Sequence, residues 1–394
     1  MTSDRLAILG GSPAFPDGLR LLRPTLPPLD AILPGLRAAF QSGMLTKGPA
    51  LAEYERRLAE HLGVRHALGV SSCTSGLTLV FGRVAPGEAI MPSFTFMATA
   101  LAAARAGLTP VFADIDSETW CLDPKRAEEA ITDQTRVIVP VHVFGNPVDT
   151  DAFEEIGRRR GIPIIYDAAH GFGALRDGRP VGHQGVAHVF STSPTKLLIT
   201  GEGGVVATNN DEVADHVVVG REYGNPGDYD ARFVGANARL PEMSALLGTA
   251  GLDLLEREAE RRNLLAAIYR DHLAVVPGLT WQRIRPHDRC SYKDVSVRID
   301  PAFGLTRDEL AQTLDREGVQ TRAYYVPVVH KLTAFSHLRE RSDPNLPQTN
   351  ELAAQILTLP AYGFLTDDDV RGVARRIRAA HQSAADVRRA LGTV

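Results

Sequence analysis

Lys196 stands where a buried amine could do chemistry. It follows the apolar run His188–Phe190 and the small residues Ser191-Thr192-Ser193-Pro194-Thr195. After it come Leu197-Leu198-Ile199-Thr200 and the glycine turn Gly201-Glu202-Gly203-Gly204. A lysine in such apolar, glycine-closed surroundings is poorly solvated, which lowers its proton affinity and makes the neutral amine a nucleophile for a carbonyl. Taken singly, a lysine is far more often a packed stem with its head in water. Only five of the 43 basic residues are lysines (Lys47, Lys125, Lys196, Lys293 and Lys331), which makes each one more informative. The weight of the reading comes from the company Lys196 keeps.

Asp167 ends the run Pro163–Tyr166. A carboxylate there can hold a heteroaromatic ring nitrogen in its protonated form and make the ring an electron sink; a turn-capping role is its plainer alternative. His170 can brace that aspartate or touch a ring hydroxyl. The stretch Ser71-Ser72-Cys73-Thr74-Ser75-Gly76 lies between an apolar run and a helical one. Hydroxyls and free N–H groups at a helix N-terminus suit a phosphate monoester, and neither GxxxxGK[ST] nor GxGxxG is present. Phe94 and Phe96 flank Thr95 at the next run's end, where one ring can stack on a planar cofactor and the other pack. A carbonyl-binding lysine, a ring-nitrogen carboxylate, a phosphate cradle and a stacking ring together describe a site for pyridoxal 5'-phosphate.

These residues need a scaffold that brings them to one edge. Short apolar runs recur at His66–Ser71, Glu88–Met91, Thr109–Phe112, Arg136–Val143, Pro163–Tyr166, His188–Phe190 and Gly203–Ala207. Helical patterns such as Ala98–Ala106, Pro124–Ile131 and Asp149–Arg160 separate most of them. That alternation predicts an α/β unit with a mostly parallel sheet covered on both faces. Ligands bind beyond the carboxyl ends of such strands, where every residue above falls. The spacing divides the chain into an irregular arm (1–49) with a helix over Asp30–Gln41, a large α/β domain (50–255) entered by a helix over Ala50–Leu62, and a smaller α+β domain (256–394). A long helix over Pro241–His272, with a kink or break at Gly248 or Gly251, joins the last two. Strands at Ser291–Ile299 and Gly318–Tyr325 and helices at Thr306–Glu317 and Thr366–Ala390 complete the expectation.

The bulk properties exclude several function classes. A net charge of -4 gives no electrostatic case for nucleic acid. Asp4 and Arg5 precede the brief apolar run Leu6-Ala7-Ile8-Leu9, which does not read as a secretory signal, and no apolar stretch reaches membrane-spanning length. Cys73, Cys121 and Cys290 lie far apart without CxxC spacing, which points to a reducing, cytoplasmic setting and away from a structural metal site.

The ordered motifs are similar to those of the DegT/DnrJ/EryC1/StrS aminotransferases, which are fold-type I pyridoxal-phosphate enzymes. The resemblance runs from Gly10-Gly11-Ser12-Pro13 to the closing helix. It includes Ser42-Gly43, Lys47-Gly48-Pro49, Pro92-Ser93-Phe94-Thr95-Phe96 and Pro140-Val141-His142-Val143-Phe144-Gly145. Its strongest markers are Asp167-Ala168-Ala169-His170, Lys196 with its glycine turn, and Gly235-Ala236-Asn237-Ala238-Arg239; Tyr325-Val326-Pro327 and His330 add to it.

The resemblance implies a seven-stranded, mostly parallel sheet in the large domain. It assigns Lys196 to covalent attachment of the cofactor and proton shuttling, and Asp167 to the pyridine nitrogen. Phe96 would stack on the ring, His170 would sit beside it, and Thr74, Ser75 and Ser191 would hold the phosphate. It further implies a homodimer with shared active sites, in which Asn237 reaches the phosphate bound by the neighbouring subunit. The implied reaction moves an amino group from glutamate or glutamine to a keto-sugar, commonly nucleotide-linked, or a keto-cyclitol. Its setting would be amino-sugar, natural-product or surface-polysaccharide biosynthesis. Two positions depart from the family pattern: Ser193 where histidine is frequent, and Cys73 where glycine is frequent. Aldol or elimination chemistry with the same cofactor, and a non-catalytic regulatory role, are the competing readings. Retention of both Lys196 and Asp167 favours transamination.

Overall fold

The computed structural model describes residues 5–338 and 346–393. Its central sheet is assembled from β1 (His66–Val70), β2 (Gly87–Pro92), β3 (Leu108–Ala113), β4 (Thr135–Ile138) and β5 (Ile165–Asp167). A small hairpin, β6 (Leu175–Arg176) with β7 (Arg179–Pro180), leads to the last two strands, β8 (Ala187–Ser191) and β9 (Gly204–Thr208). β3, β2 and β4 run parallel. β5 and β8 run parallel, and β9 is antiparallel between β8 and β1. Bridges Ile138↔Ile164 and Val141↔Asp167 join the two blocks. The order is therefore β1-β9-β8-β5-β4-β2-β3, a seven-stranded sheet with one antiparallel member. β8 and β9 are buried along their whole length, as strands covered on both faces must be.

β4 is shorter than the apolar run Arg136–Val143 predicts. Beyond Ile138 the chain bends at Pro140, yet Asp167 N–H still donates to Pro140 O at 2.9 Å and His142 N–H to Asp167 O at 3.1 Å. Those two bonds fix the height of Asp167 at the sheet edge.

Glu242–Leu273 is one uninterrupted helix. Gly248 does not break it but permits close packing: a Cβ there would lie 2.6 Å from the Tyr54 ring. Through Ala259 this helix packs with Leu51, Tyr54, Leu58 and Leu198 of the large core. From Leu265 onward it packs with Val297, Leu310, Val373 and Ile377 of a second core, so a division at 255/256 falls inside the helix. Leu6 and Leu19 are buried in that second core, which ties the N-terminal segment to the C-terminal part of the chain.

The second core surrounds a three-stranded antiparallel sheet, β10 (Leu279–Trp281), β11 (Val295–Ile299) and β12 (Ile356–Leu359). Gly318–Tyr325 does not form the predicted strand. Gly318 takes a positive φ beside Phe15, and the segment makes only isolated bridges, to Leu19 on one side and Thr358 on the other. The last helical stretch is likewise two helices, Asp367–Gln382 and Ala384–Leu391, which part at Ser383 where ψ leaves the helical range. No described helix is long and apolar enough to cross a membrane.

Candidate active site

The strand ends and the small-domain loops enclose a cavity of about 320 Å³. Thr74, Phe96, Asp167, His170, Ser191 and Lys196 all open on to it, so six of the eight residues singled out from sequence converge. Ser75 and Asn237 do not line it.

The helix Cys73–Phe81 starts at the end of β1. Ser72 caps it by accepting from Ser75 N–H at 3.0 Å. Ser75 Oγ is held within this turn, 3.0 Å from Ser71 Oγ and 2.8 Å from Ser72 Oγ, so of the two residues Thr74 and Ser75 it is Thr74 that lines the cavity. Gly204 makes the approach of β9 possible: a Cβ there would fall 2.5 Å from the Cys73 nitrogen. The result is a helix N-terminus flanked by Thr74 and Ser191, an arrangement suited to a dianionic phosphate.

Asp167 is buried at the end of β5. Its Oδ2 accepts from Thr99 Oγ1 at 2.7 Å and its Oδ1 from Ala169 N–H at 3.0 Å, with Cys73 Sγ 3.9 Å away. Burial pushes its carboxyl above the usual range, opposed by the Thr99 and Ala169 hydrogen bonds and by the Lys196 charge. A protonated ring nitrogen would complete this carboxylate, because it supplies the countercharge that burial otherwise denies.

Burial brings Lys196 down to about 8; the Lys293 charge acts in the same direction, against Asp294, Cys73 and Asp167. Thus roughly a tenth to a fifth of this amine is neutral near physiological pH, far more than of an exposed lysine. His170 is buried, and its Nδ1 accepts from Phe144 N–H at 3.1 Å. Burial first, then the Lys196 and Lys293 charges, hold it well below the ordinary range. The neutral tautomer therefore carries its proton on Nε2. Of the two phenylalanines, Phe94 is buried against Phe144 and Tyr325, whereas Phe96 is 54% exposed at the cavity. Ser193, where a histidine is frequent in the resembling family, lines the cavity with its Oγ 3.4 Å from Ser191 Oγ.

Four contributors were not singled out from sequence: Thr99, Lys293, Asp294 and Tyr324. The scarcity of lysine was the one available signal for Lys293. Asn237 lies exposed on the surface, where its backbone bridges Glu222.

The profile of the DegT/DnrJ/EryC1/StrS aminotransferase family matches residues 30–378. A dTDP-4-amino-4,6-dideoxy-D-glucose transaminase of Shigella dysenteriae is 32% identical over 358 residues, covering 90% of this chain and 97% of that protein. A dTDP-3-amino-3,4,6-trideoxy-alpha-D-glucose transaminase of Streptomyces venezuelae is 35% identical over 325 residues, with 82% and 84% covered. Among solved structures, that of DesI in the presence of its TDP-sugar product superposes with a TM-score of 0.90 at 36% identity, covering 100% of this chain and 99% of that one.

Proposed function

This chain belongs to the DegT/DnrJ/EryC1/StrS aminotransferase family and is a pyridoxal-phosphate-dependent aminotransferase of fold type I; on that footing we propose that it aminates the keto group of a nucleotide-linked sugar, with glutamate or glutamine as donor. The observation that carries this reading is the convergence of Lys196 and Asp167 in one cavity, within a chain alike over nearly its full length to transaminases named for dTDP-sugars.

When bound, pyridoxal phosphate supplies an aldehyde for amines and a ring that stores the electron pair left at the amino-bearing carbon. The protein's own groups do the rest. Lys196 Nζ, half of it neutral at about pH 8, would hold the aldehyde and would supply the base that takes and returns the proton at the reacting carbon. Asp167 would hold the ring nitrogen in its protonated form, and Thr99 and Ala169 keep Asp167 aimed. Phe96 would lie against the ring, while the helix N-terminus with Thr74 and Ser191 would anchor the phosphate. His170, neutral, would offer its Nε2–H to the ring without adding a charge.

The acceptor is tested by offering keto-sugars, nucleotide-linked and free, and keto-cyclitols to enzyme first converted by glutamate to its amino-loaded form. Return of the aldehyde absorbance with nucleotide-linked keto-sugars is the expected result. Reaction with free keto-cyclitols alone would contradict the proposed acceptor, and failure of both glutamate and glutamine to discharge the aldehyde band would contradict transamination.

The proposal extends to assembly as a homodimer with shared sites. Asn237 is exposed and outside its own chain's cavity, in a segment whose glycine allows tight backbone approach: a Cβ on Gly235 would sit 2.2 Å from Gly224 N. If Asn237 donates to the neighbouring subunit's phosphate, cofactor binding and dimerisation are linked. Asn237→Ala should then weaken both by about 1 kcal/mol, the value of a lost hydrogen bond. Sedimentation of holo and cofactor-free protein over a dilution series measures this; a holo-protein that stays monomeric and active would contradict it.

A further inference from the structure

The cavity holds two amines, and only one of them can be the reactive group. Lys293 and Asp294 sit just before β11, 5% and 6% exposed, and both line the cavity with Lys196. Lys293 Nζ is 2.8 Å and 3.0 Å from the two oxygens of the Asp294 carboxylate and 5.1 Å from the centre of the Tyr324 ring. Its backbone is fixed from two directions: Lys293 N–H donates to Phe144 O at 3.0 Å, and the buried Arg262 donates to Lys293 O at 3.0 Å. Adjacent residues in extended chain ordinarily point to opposite faces. Here both side chains turn into one pair, beneath an aromatic face that favours a cation.

We propose that Asp294 holds Lys293 as a fixed cation in the cavity wall, which leaves Lys196 as the reactive amine and keeps Lys293 itself out of the chemistry. The inference rests on the reading of Lys196 as the cofactor's anchor.

The pair's role has two parts. A buried ion pair of this kind is costly to form and is poor evidence of a stabilising role, since an apolar pair of similar volume packs as well. Its use here is electrostatic. The groups that face Lys196 are Cys73 from the helix start, Asp167 and His170 from the end of β5, Glu202 from the glycine turn, Tyr324 and Tyr325, and the ion pair. Only Lys293 among these adds a positive charge when His170 is neutral, and it opposes protonation of Lys196 more strongly than any single carboxylate favours it. The second part concerns selectivity. An unpaired Lys293 in the same apolar cavity would be a second nucleophile for the aldehyde. Asp294 occupies it on both carboxylate oxygens, so the aldehyde has one free amine to meet. Lys293 is thus a positioning residue that acts through Lys196.

Trace acetylation of the full-length, cofactor-free chain over a pH series, with peptide mass spectrometry, reads the neutral fraction at Lys196. The wild-type midpoint should lie near 8. Lys293→Met should raise it by about one unit, roughly a tenfold loss of neutral amine at pH 7. Lys293→Arg, which keeps the charge, should leave it in place. In Asp294→Asn holoenzyme, borohydride trapping should place label on Lys293 as well as Lys196. A packing role would not separate the methionine variant from the arginine variant. If Lys293→Met does not fold, the Asp294→Asn trapping decides alone, and label confined to Lys196 there overturns the inference. So does an unmoved midpoint in folded Lys293→Met. Wild-type enzyme that traps no label at Lys196 overturns instead the functional reading on which this rests.

Discussion

Lys196→Ala protein is expected to form no covalent link to pyridoxal phosphate and to lose at least about four orders of magnitude in turnover. Two functions leave together, the nucleophile that binds the aldehyde and the base that moves the proton, and proton transfer by a positioned side chain alone is worth about a hundred- to ten-thousandfold. No other lysine replaces it. Lys47 is exposed and paired with Glu222, and Lys293 is paired with Asp294. The pH dependence carries its own sign. The bound amine must be neutral to attack, and burial holds its midpoint at about 8. The rate at which wild-type apoprotein takes up the aldehyde should therefore fall about tenfold for each pH unit below that midpoint and level off above it. An ordinary lysine would still be gaining rate at pH 9. Stopped-flow absorbance on wild-type and variant protein measures both effects.

Asp167→Asn is expected to keep its cofactor but lose about a hundred- to a thousandfold in transamination. The amide is the same size, and its carbonyl can still accept from Ala169 N–H or Thr99 Oγ1, so the pocket should survive. What disappears is the negative charge that holds a proton on the ring nitrogen, and with it most of the ring's capacity to store electrons. Absorbance should report bound cofactor while single turnovers with glutamate slow. Near-normal rates would show that Asp167 acts only as a strand-end cap. The distinction matters because burial alone pushes this carboxyl toward its neutral form, and only hydrogen bonds and nearby cations keep it charged.

Much of this site could be read before any coordinates. Lys196, Asp167, His170, Thr74, Ser191 and Phe96 each follow a short apolar run, and a parallel sheet delivers every run's end to one edge. Local pattern was enough because strand, loop and helix are contiguous there. Lys293, Asp294 and Tyr324 were not legible for the opposite reason. They lie about a hundred residues or more along the chain from Lys196, and a Lys-Asp dipeptide in sequence resembles any solvated surface pair. Ser75 illustrates a finer limit: the sequence places it at the helix start, but only the hydrogen bonds of Ser71 and Ser72 show that its hydroxyl is already engaged.

The fold shows the same division. The seven-stranded sheet follows from burial on both faces, whereas Gly248 and Gly251, which by propensity invited a break in the long helix, are instead places where Tyr54 and Leu198 approach it. The alternation over Gly318–Tyr325 misled because both of its edges are satisfied by isolated contacts, with Leu19 and Thr358, rather than by a ladder.

The most direct test of the account is borohydride reduction of the wild-type holoenzyme followed by peptide mapping. The account predicts one reduced cofactor per chain, on the peptide that contains Lys196, with the characteristic aldehyde absorbance lost in step. Label on Lys47, Lys125, Lys293 or Lys331 instead, or cofactor that washes free after reduction, would contradict it.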